Sequence, residues 1–176
     1  MDIRSEILKE HSKQNALRVA WIAGSDPQLL KELIDITLGD DTETGRKAAW
    51  ALRHCYENRL INFDPHITRL IRFLNRKNIH HAVKRNILGI LRTVKIPEKH
   101  KGDLLDQCFS YLESGRETIA VKAFSIDIIT NIASGEPAIL KELRIVLEDQ
   151  LPYASAGLKS KTSKIITLSK KYKHEW

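Results

Sequence analysis

Asp41-Thr42-Glu43-Thr44-Gly45-Arg46-Lys47-Ala48-Ala49-Trp50-Ala51-Leu52 is the stretch on which the fold turns. An acidic turn runs into a segment carrying a basic residue among small apolar ones, and that second half recurs along the chain. Gly45–Leu52 can be laid over Val83-Lys84-Arg85-Asn86-Ile87-Leu88-Gly89-Ile90, Ala120-Val121-Lys122-Ala123-Phe124-Ser125-Ile126 and Lys159-Ser160-Lys161-Thr162-Ser163-Lys164-Ile165. Ala16-Leu17-Arg18-Val19-Ala20-Trp21-Ile22 heads the series. The basic residue falls at Arg18, Lys47, Arg85, Lys122 and Lys161, in steps of 29, 38, 37 and 39. A fixed period of this size is the mark of a repeat architecture built from small helical units.

The segments between these copies share an opening of their own. Ser25-Asp26-Pro27, Phe63-Asp64-Pro65 and Gly135-Glu136-Pro137 each place an acid before a proline and an apolar pattern. A carboxylate accepts from the free N–H groups of a helix start, and proline suits the first helical position because its missing N–H has no partner there. A fourth copy is irregular. Ile96-Pro97 leads into Leu104, Leu105, Cys108, Phe109 and Leu112, the apolar stripe of a helix facing a core. These signals predict helical pairs at 2–11 with 13–23, 27–38 with 43–58, 65–75 with 79–94, 103–113 with 117–133, and 137–149 with 155–172. No sustained period-2 alternation and no Asn-Gly or Asp-Gly hairpin signal is present, so no strand is expected.

An acidic turn followed by a helix with a basic residue and small apolar residues resembles the HEAT repeat, and Asp41–Leu52 is the best copy. The resemblance implies an all-α fold, a right-handed α–α superhelix (solenoid) of about five HEAT-like pairs over residues 1–176 as a single domain. The second helix of each pair would line an inner, concave surface. Arg46–Leu52, Ala120–Phe124 and Ser155–Lys161 also make the chain similar to short bacterial HEAT-like proteins often labelled adenylosuccinate lyase. Lyases of that superfamily are longer chains with a mobile Ser-Ser-x-Met-Pro-x-Lys-x-Asn loop. Here the single methionine is Met1 and no Ser-Ser pair occurs, so the signature of that activity is absent and an enzyme of that label stands as the last alternative.

At 176 residues, 42% apolar and 29% charged, the chain has the material for one packed core. Two cysteines rule out a disulfide scaffold. Cys55 and Cys108 fall among apolar neighbours and are expected as buried thiols. The N-terminus lacks the apolar core of a secretory signal, and no apolar run approaches the ~20 residues that span a bilayer. The expected location is the cytoplasm, away from membranes.

Charge is unevenly spread. Residues 59–101 hold 11 Lys/Arg and two acids, net +9; residues 102–158 are net −5, and the lysine-rich 159–176 are net +5. Lys84, Arg92 and Lys95, at i, i+8 and i+11, are expected on one helical face. The expected function is a non-catalytic binding or scaffold module whose groove contacts are Arg53, Lys84, Arg85, Arg92, Lys95 and Lys122. An acidic protein surface is the first partner such cations fit. Nucleic-acid phosphates are the alternative, although the basic stretch offers only Phe63 and Phe73 for stacking.

The recurring basic residues have a competing role in a ladder of ion pairs between repeats, with Asp40, Asp41 and Asp103 as partners. Asp127 stands out inside a helical, apolar run; it is expected at the edge of the groove or paired with a basic residue of the next repeat. Trp21 and Trp50, each following an alanine, are expected in the core, whereas a HEAT-like DNA glycosylase would line its groove with aromatics and an aspartate. His80-His81 and His54-Cys55 are adjacent and lack metal-ligand spacing. No phosphate-binding loop, nucleophile elbow or dinucleotide motif occurs, so neither cofactor nor metal is expected.

Overall fold

A computed structural model describes residues 2–58, 60–62, 64–134 and 136–171. Its elements are α1 (Ile3–Leu8), α2 (Lys13–Gly24), α3 (Pro27–Thr37), α4 (Thr42–Glu57), α5 (Asp64–Leu74), α6 (His81–Leu91), α7 (Lys101–Glu113), α8 (Ile119–Ile132), α9 (Pro137–Gln150) and α10 (Ala156–Lys171). Single 3-10 turns at Glu98–His100 and Leu151–Tyr153 precede α7 and follow α9. There is no strand among the described residues, as the missing period-2 signal predicts. By contacts the chain forms two compact units, residues 1–91 and 92–176.

Capping chemistry sets the helix bounds. Asp26 accepts from the Gln28 N–H at 2.8 Å with Pro27 opening α3, as expected. The other two acid-proline starts work differently. Asp64 already lies in the first turn of α5, and its N–H donates to Asn62 Oδ1 at 3.0 Å. Glu136 precedes α9 without a side-chain cap bond. Phe63 and Gly135 lie outside the described residues.

The predicted 2–11 helix stops at Leu8, because Ser12 caps α2 and the chain must turn before it. Asn15, buried on α2, donates to the carbonyls of Glu6 and Glu10 at 3.1 Å each and so ties that turn down. The predicted 79–94 helix shortens at both ends. His80 caps it, Nδ1 accepting from the Ala82 N–H at 3.1 Å, and α6 ends at Leu91. The predicted 155–172 helix reaches Lys171, and residue 172 is outside the described part.

In the first unit α2, α4 and α6 lie side by side, α3 packs on α2 and α4, α1 packs on α2, α3 and α4, and α5 packs on α6. Small residues allow the close approach of α2 to α4. Ala16, Ala20 and Ala23 are buried on one, Ala48, Ala49 and Ala51 on the other, and the Cys55 thiol donates to the Ala20 carbonyl at 3.4 Å. Larger side chains fill the remaining space: Leu33, Ile34, Leu52, Leu70 and Ile87 are completely buried. Each such side chain stabilises the fold by roughly 1.5–3 kcal/mol.

The second unit follows the same plan. Here α7 packs on α8 and α9, and α10 packs on α8 and α9. Helix α8 is apolar on several sides and buries Val121, Ile126, Ile128, Ile129 and Ile132, as expected for a helix enclosed by neighbours. Cys55 and Cys108 are both free and buried, in keeping with the sequence.

Polar contacts between helices repeat the period of the sequence. Arg4–Asp41, Arg69–Asp35, Arg76–Asp40, Arg92–Asp127 and Lys161–Asp127 join residues 37, 34, 36, 35 and 34 positions apart. Each joins residues about one repeat period apart.

Candidate functional site

Helix α8 carries an acid where its neighbours are apolar, and the second unit is built around it. Asp127 Oδ2 accepts from Arg92 Nη1 at 3.2 Å, and Oδ1 accepts from Lys161 Nζ of α10. The Arg92 guanidinium lies over the Phe124 ring, 4.4 Å from its centroid, and the Arg92 carbonyl accepts from Asn131 Nδ2 at 2.6 Å. Asp127 is therefore a junction between two cations. Its expected pairing with a basic residue of the next repeat is present in Lys161.

The six expected contact residues divide. Lys84 is buried, which takes it away from any partner surface. Helix α6 ends at Leu91, so Lys84, Arg92 and Lys95 do not share one helical face; the predicted helix to 94 carried that error. Arg92 is committed to Asp127. Lys122 donates to the Leu112 carbonyl at 2.7 Å and to Gln150 Oε1 at 3.3 Å, closing the end of α7. Arg53 donates from Nε to Glu57 Oε1 at 2.7 Å while its guanidinium lies over Gly89 of α6. Arg85 and Lys95 remain exposed.

The same correction applies to the basic segment as a whole. Arg69 pairs with Asp35 at 2.6 Å, Arg76 with Asp40 at 3.3 Å, Arg92 with Asp127 and Lys101 with Glu98 at 2.7 Å. Three of those carboxylates come from outside residues 59–101. Arg72, Lys77, Arg85, Lys95 and Lys99 stay exposed, and Arg59 lies outside the described residues. The proposed ladder partners also differ. Asp40 pairs with Arg76, Asp41 pairs with Arg4 and caps α4 through Thr44, and Asp103 is exposed in the first turn of α7. Of the recurring bases, Arg18 pairs with Glu6 and Lys47 with Glu43.

In the first unit the outer side of the α2–α4–α6 layer carries a regular set of side chains, exposed on α2 and α6 and half-buried on α4. Gln14, Arg18 and Trp21 follow i, i+4, i+7 on α2; Arg46, Trp50 and Arg53 do the same on α4; His81 and Arg85 sit one turn apart on α6. Trp21 is 63% exposed, which overturns its expected place in the core. Ala16, Val19, Ala20 and Ala23 already make the buried stripe, and the tryptophan falls outside it. Trp50 is half-buried, with its ring centroid 5.7 Å from His11 and 6.0 Å from His54. Glu43 serves both Arg46 and Lys47, and those hydrogen bonds hold its carboxyl below the ordinary value. His54 is buried; its Nδ1 is 3.2 Å from Glu57, and burial outweighs that carboxylate, so its pKa is lowered.

Burial raises the pKa of the Cys55 and Cys108 thiols to about 12, leaving both protonated and unreactive at neutral pH. Among the described residues no group of His, Cys, Asp or Glu could hold a metal ion, and no helix is long and apolar enough to cross a membrane.

Helices in packed pairs, joined by polar contacts one period apart, define a helical repeat protein. A family model described as HEAT repeat domain matches residues 3–168, and the chain belongs to that family. No curated protein and no solved structure matches it.

Proposed function

We propose that the protein is a non-catalytic binding module of the cytoplasm that holds an acidic protein partner on the solvent face of α2, α4 and α6. The observation that carries this reading is the surface of that layer, where the exposed Trp21 accompanies Arg18, Arg46, Arg53 and Arg85. Tryptophan and arginine are the side chains that most often dominate protein interfaces. Families of this kind serve as scaffolds for protein interactions, and the match over residues 3–168 supports that use here. The reading includes one right-handed superhelix of five pairs in a single domain, supported by the period that runs through the whole sequence. Small-angle scattering of the full chain tests that shape.

Affinity capture from native lysate, comparing wild type with Trp21→Ala/Arg85→Glu, tests the function. An acidic protein retained by the wild type and lost by the variant, with retention falling as salt rises, is the expected result. Capture unchanged by the variant overturns the surface.

Nucleic acid is the second reading, favoured by the same exposed Trp21 among cations, since bases stack on aromatic side chains in a basic groove. A mobility-shift titration with single-stranded DNA in a salt series separates the two. Phosphate binding must weaken steeply with salt, and no shift at low salt rejects it.

A further inference from the structure

The second unit carries a groove of about 590 Å³ between the end of α9, the Leu151–Tyr153 turn and the start of α10. Its apolar wall is made by Ile145, Val146, Tyr153 and Leu158. Two of these are unusually open: Ile145 is 55% and Tyr153 93% exposed. Singly exposed apolar residues are ordinary, but two beside a concave surface mark a place for a partner side chain.

The charge around the groove selects the partner. Glu113 and Asp149 line it and are exposed, and neither meets a cation among the described residues. By contrast, the neighbouring Glu148 is satisfied by Arg144 at 3.5 Å. Lys122, also in the lining, turns its ammonium to the Leu112 carbonyl and Gln150. The end of α7 thereby offsets that positive charge, while the two carboxylates are left to solvent. Both lie in the stretch 102–158, net −5, which steers a cationic partner toward the groove.

We propose that this groove docks a basic amphipathic helical segment of a protein partner. An apolar side chain of that segment fills the space beside Ile145 and Leu158, and a lysine or arginine one turn away meets Asp149. The spacing fits because Ile145 and Asp149 are themselves i and i+4 on α9, one turn apart on one face. A second cation meets Glu113, and the open face of Tyr153 accepts a guanidinium or ammonium by cation–π attraction. This surface is separate from the α2–α4–α6 layer and takes a partner of opposite charge.

The test uses the full chain and a fluorescein-labelled helical peptide of about 14 residues built from leucine, alanine and lysine, with leucine and lysine four apart. Two control peptides replace every lysine by glutamate or every leucine by serine. Fluorescence anisotropy is expected to show binding of the first peptide and at least about tenfold weaker binding of either control. Ile145→Glu and Asp149→Lys are each expected to weaken the first peptide about tenfold or more. Ile119→Glu, an exposed apolar site of the same unit outside the groove, and Trp21→Ala leave it unchanged. Circular dichroism confirms folding, and Tyr153→Ala replaces Ile145→Glu if the latter unfolds.

Equal affinity for the glutamate peptide, an equal loss from Ile119→Glu, or no binding of any peptide overturns the proposal. Sedimentation of the chain alone adds one more outcome. A dimer dissolved by Ile145→Glu overturns it in favour of a second copy as the occupant.

Discussion

Arg92 and Asp127 are 35 residues apart in the chain and 3.2 Å apart in space, with the guanidinium held over the Phe124 ring. Lys161 reaches the other carboxylate oxygen, so one acid couples α8 to two basic residues on either side in sequence. Asp127→Ala is expected to destabilise the fold by about 1 kcal/mol, because the three groups are half-buried and partly screened. In a double-mutant cycle with Lys161→Met by urea denaturation, the coupling is expected at roughly 0.5–1 kcal/mol. Strict additivity would show that solvent already screens the pair.

Asn15 closes the turn between α1 and α2. Its amide donates to the Glu6, Ile7 and Glu10 carbonyls, and its own oxygen accepts from Arg18 Nη2 at 2.6 Å. Asn15→Leu fits the buried site in size but leaves those carbonyls without a donor. A loss of about 1–3 kcal/mol is expected, read as a lower midpoint of thermal unfolding. A midpoint equal to wild type would mean that water replaces the amide.

Two glycines predict opposite outcomes for the same substitution. A Cβ on Gly24 would lie 2.6 Å from Leu60 Cβ, an atom fixed to its backbone, so Gly24→Ala is expected to cost about 1–3 kcal/mol. A Cβ on Gly89 would meet the Arg53 guanidinium at 3.1 Å, the mobile end of a long side chain. Alanine also favours a helix over glycine by roughly 0.5–1 kcal/mol, so Gly89→Ala is expected to be neutral or stabilising. Chemical denaturation of the two variants side by side decides this; equal losses would contradict it.

The buried thiols give a pH dependence of definite sign. Cys55 and Cys108 keep their protons in the folded state up to about 12, whereas the unfolded chain ionises near the ordinary thiol value of 9.0. Stability therefore falls as pH rises between those values. An aromatic disulfide reagent at pH 8 is expected to label both cysteines after unfolding and neither before. Rapid labelling of the native protein would place a thiol at the surface.

At the acid end the sign reverses in pH. Burial holds His54 below its ordinary 6.5, so the folded chain resists its protonation, and stability is lost as pH falls below the unfolded value. Asp41, whose carboxyl is held low by its bonds from Thr44, acts in the same direction further down the scale. Stability measured from pH 8 to 4 is expected to decline, with His54→Gln removing part of its upper portion and the rest coming from His66 and His80, which burial also holds below the ordinary value.

The helices were legible because their causes are local. An acid or hydroxyl that accepts from the next few N–H groups and a stripe at i, i+3, i+4 lie within a few residues of each other, so α3 and α4 fall within one residue of their expected bounds. The errors came at helix ends: Ser12 caps α2 and so cuts α1 short, His80 caps α6 and so delays its start, and α6 stops at Leu91. The site was read less well. Asp127 pairs with a basic residue of the next repeat as expected and Arg85 is exposed, whereas Lys84 is buried and Trp21 lies in solvent.

By itself the sequence determined the all-helical build, the period near 37 residues and the family, since a repeated local pattern is enough to specify a repeated unit. Only the tertiary structure decided which cations remain available to a partner. Asp35, Asp40 and Asp127 neutralise bases 34 to 36 residues away, and a count along the chain assigns those acids to other segments. Charge acts through space, and the space is set by packing.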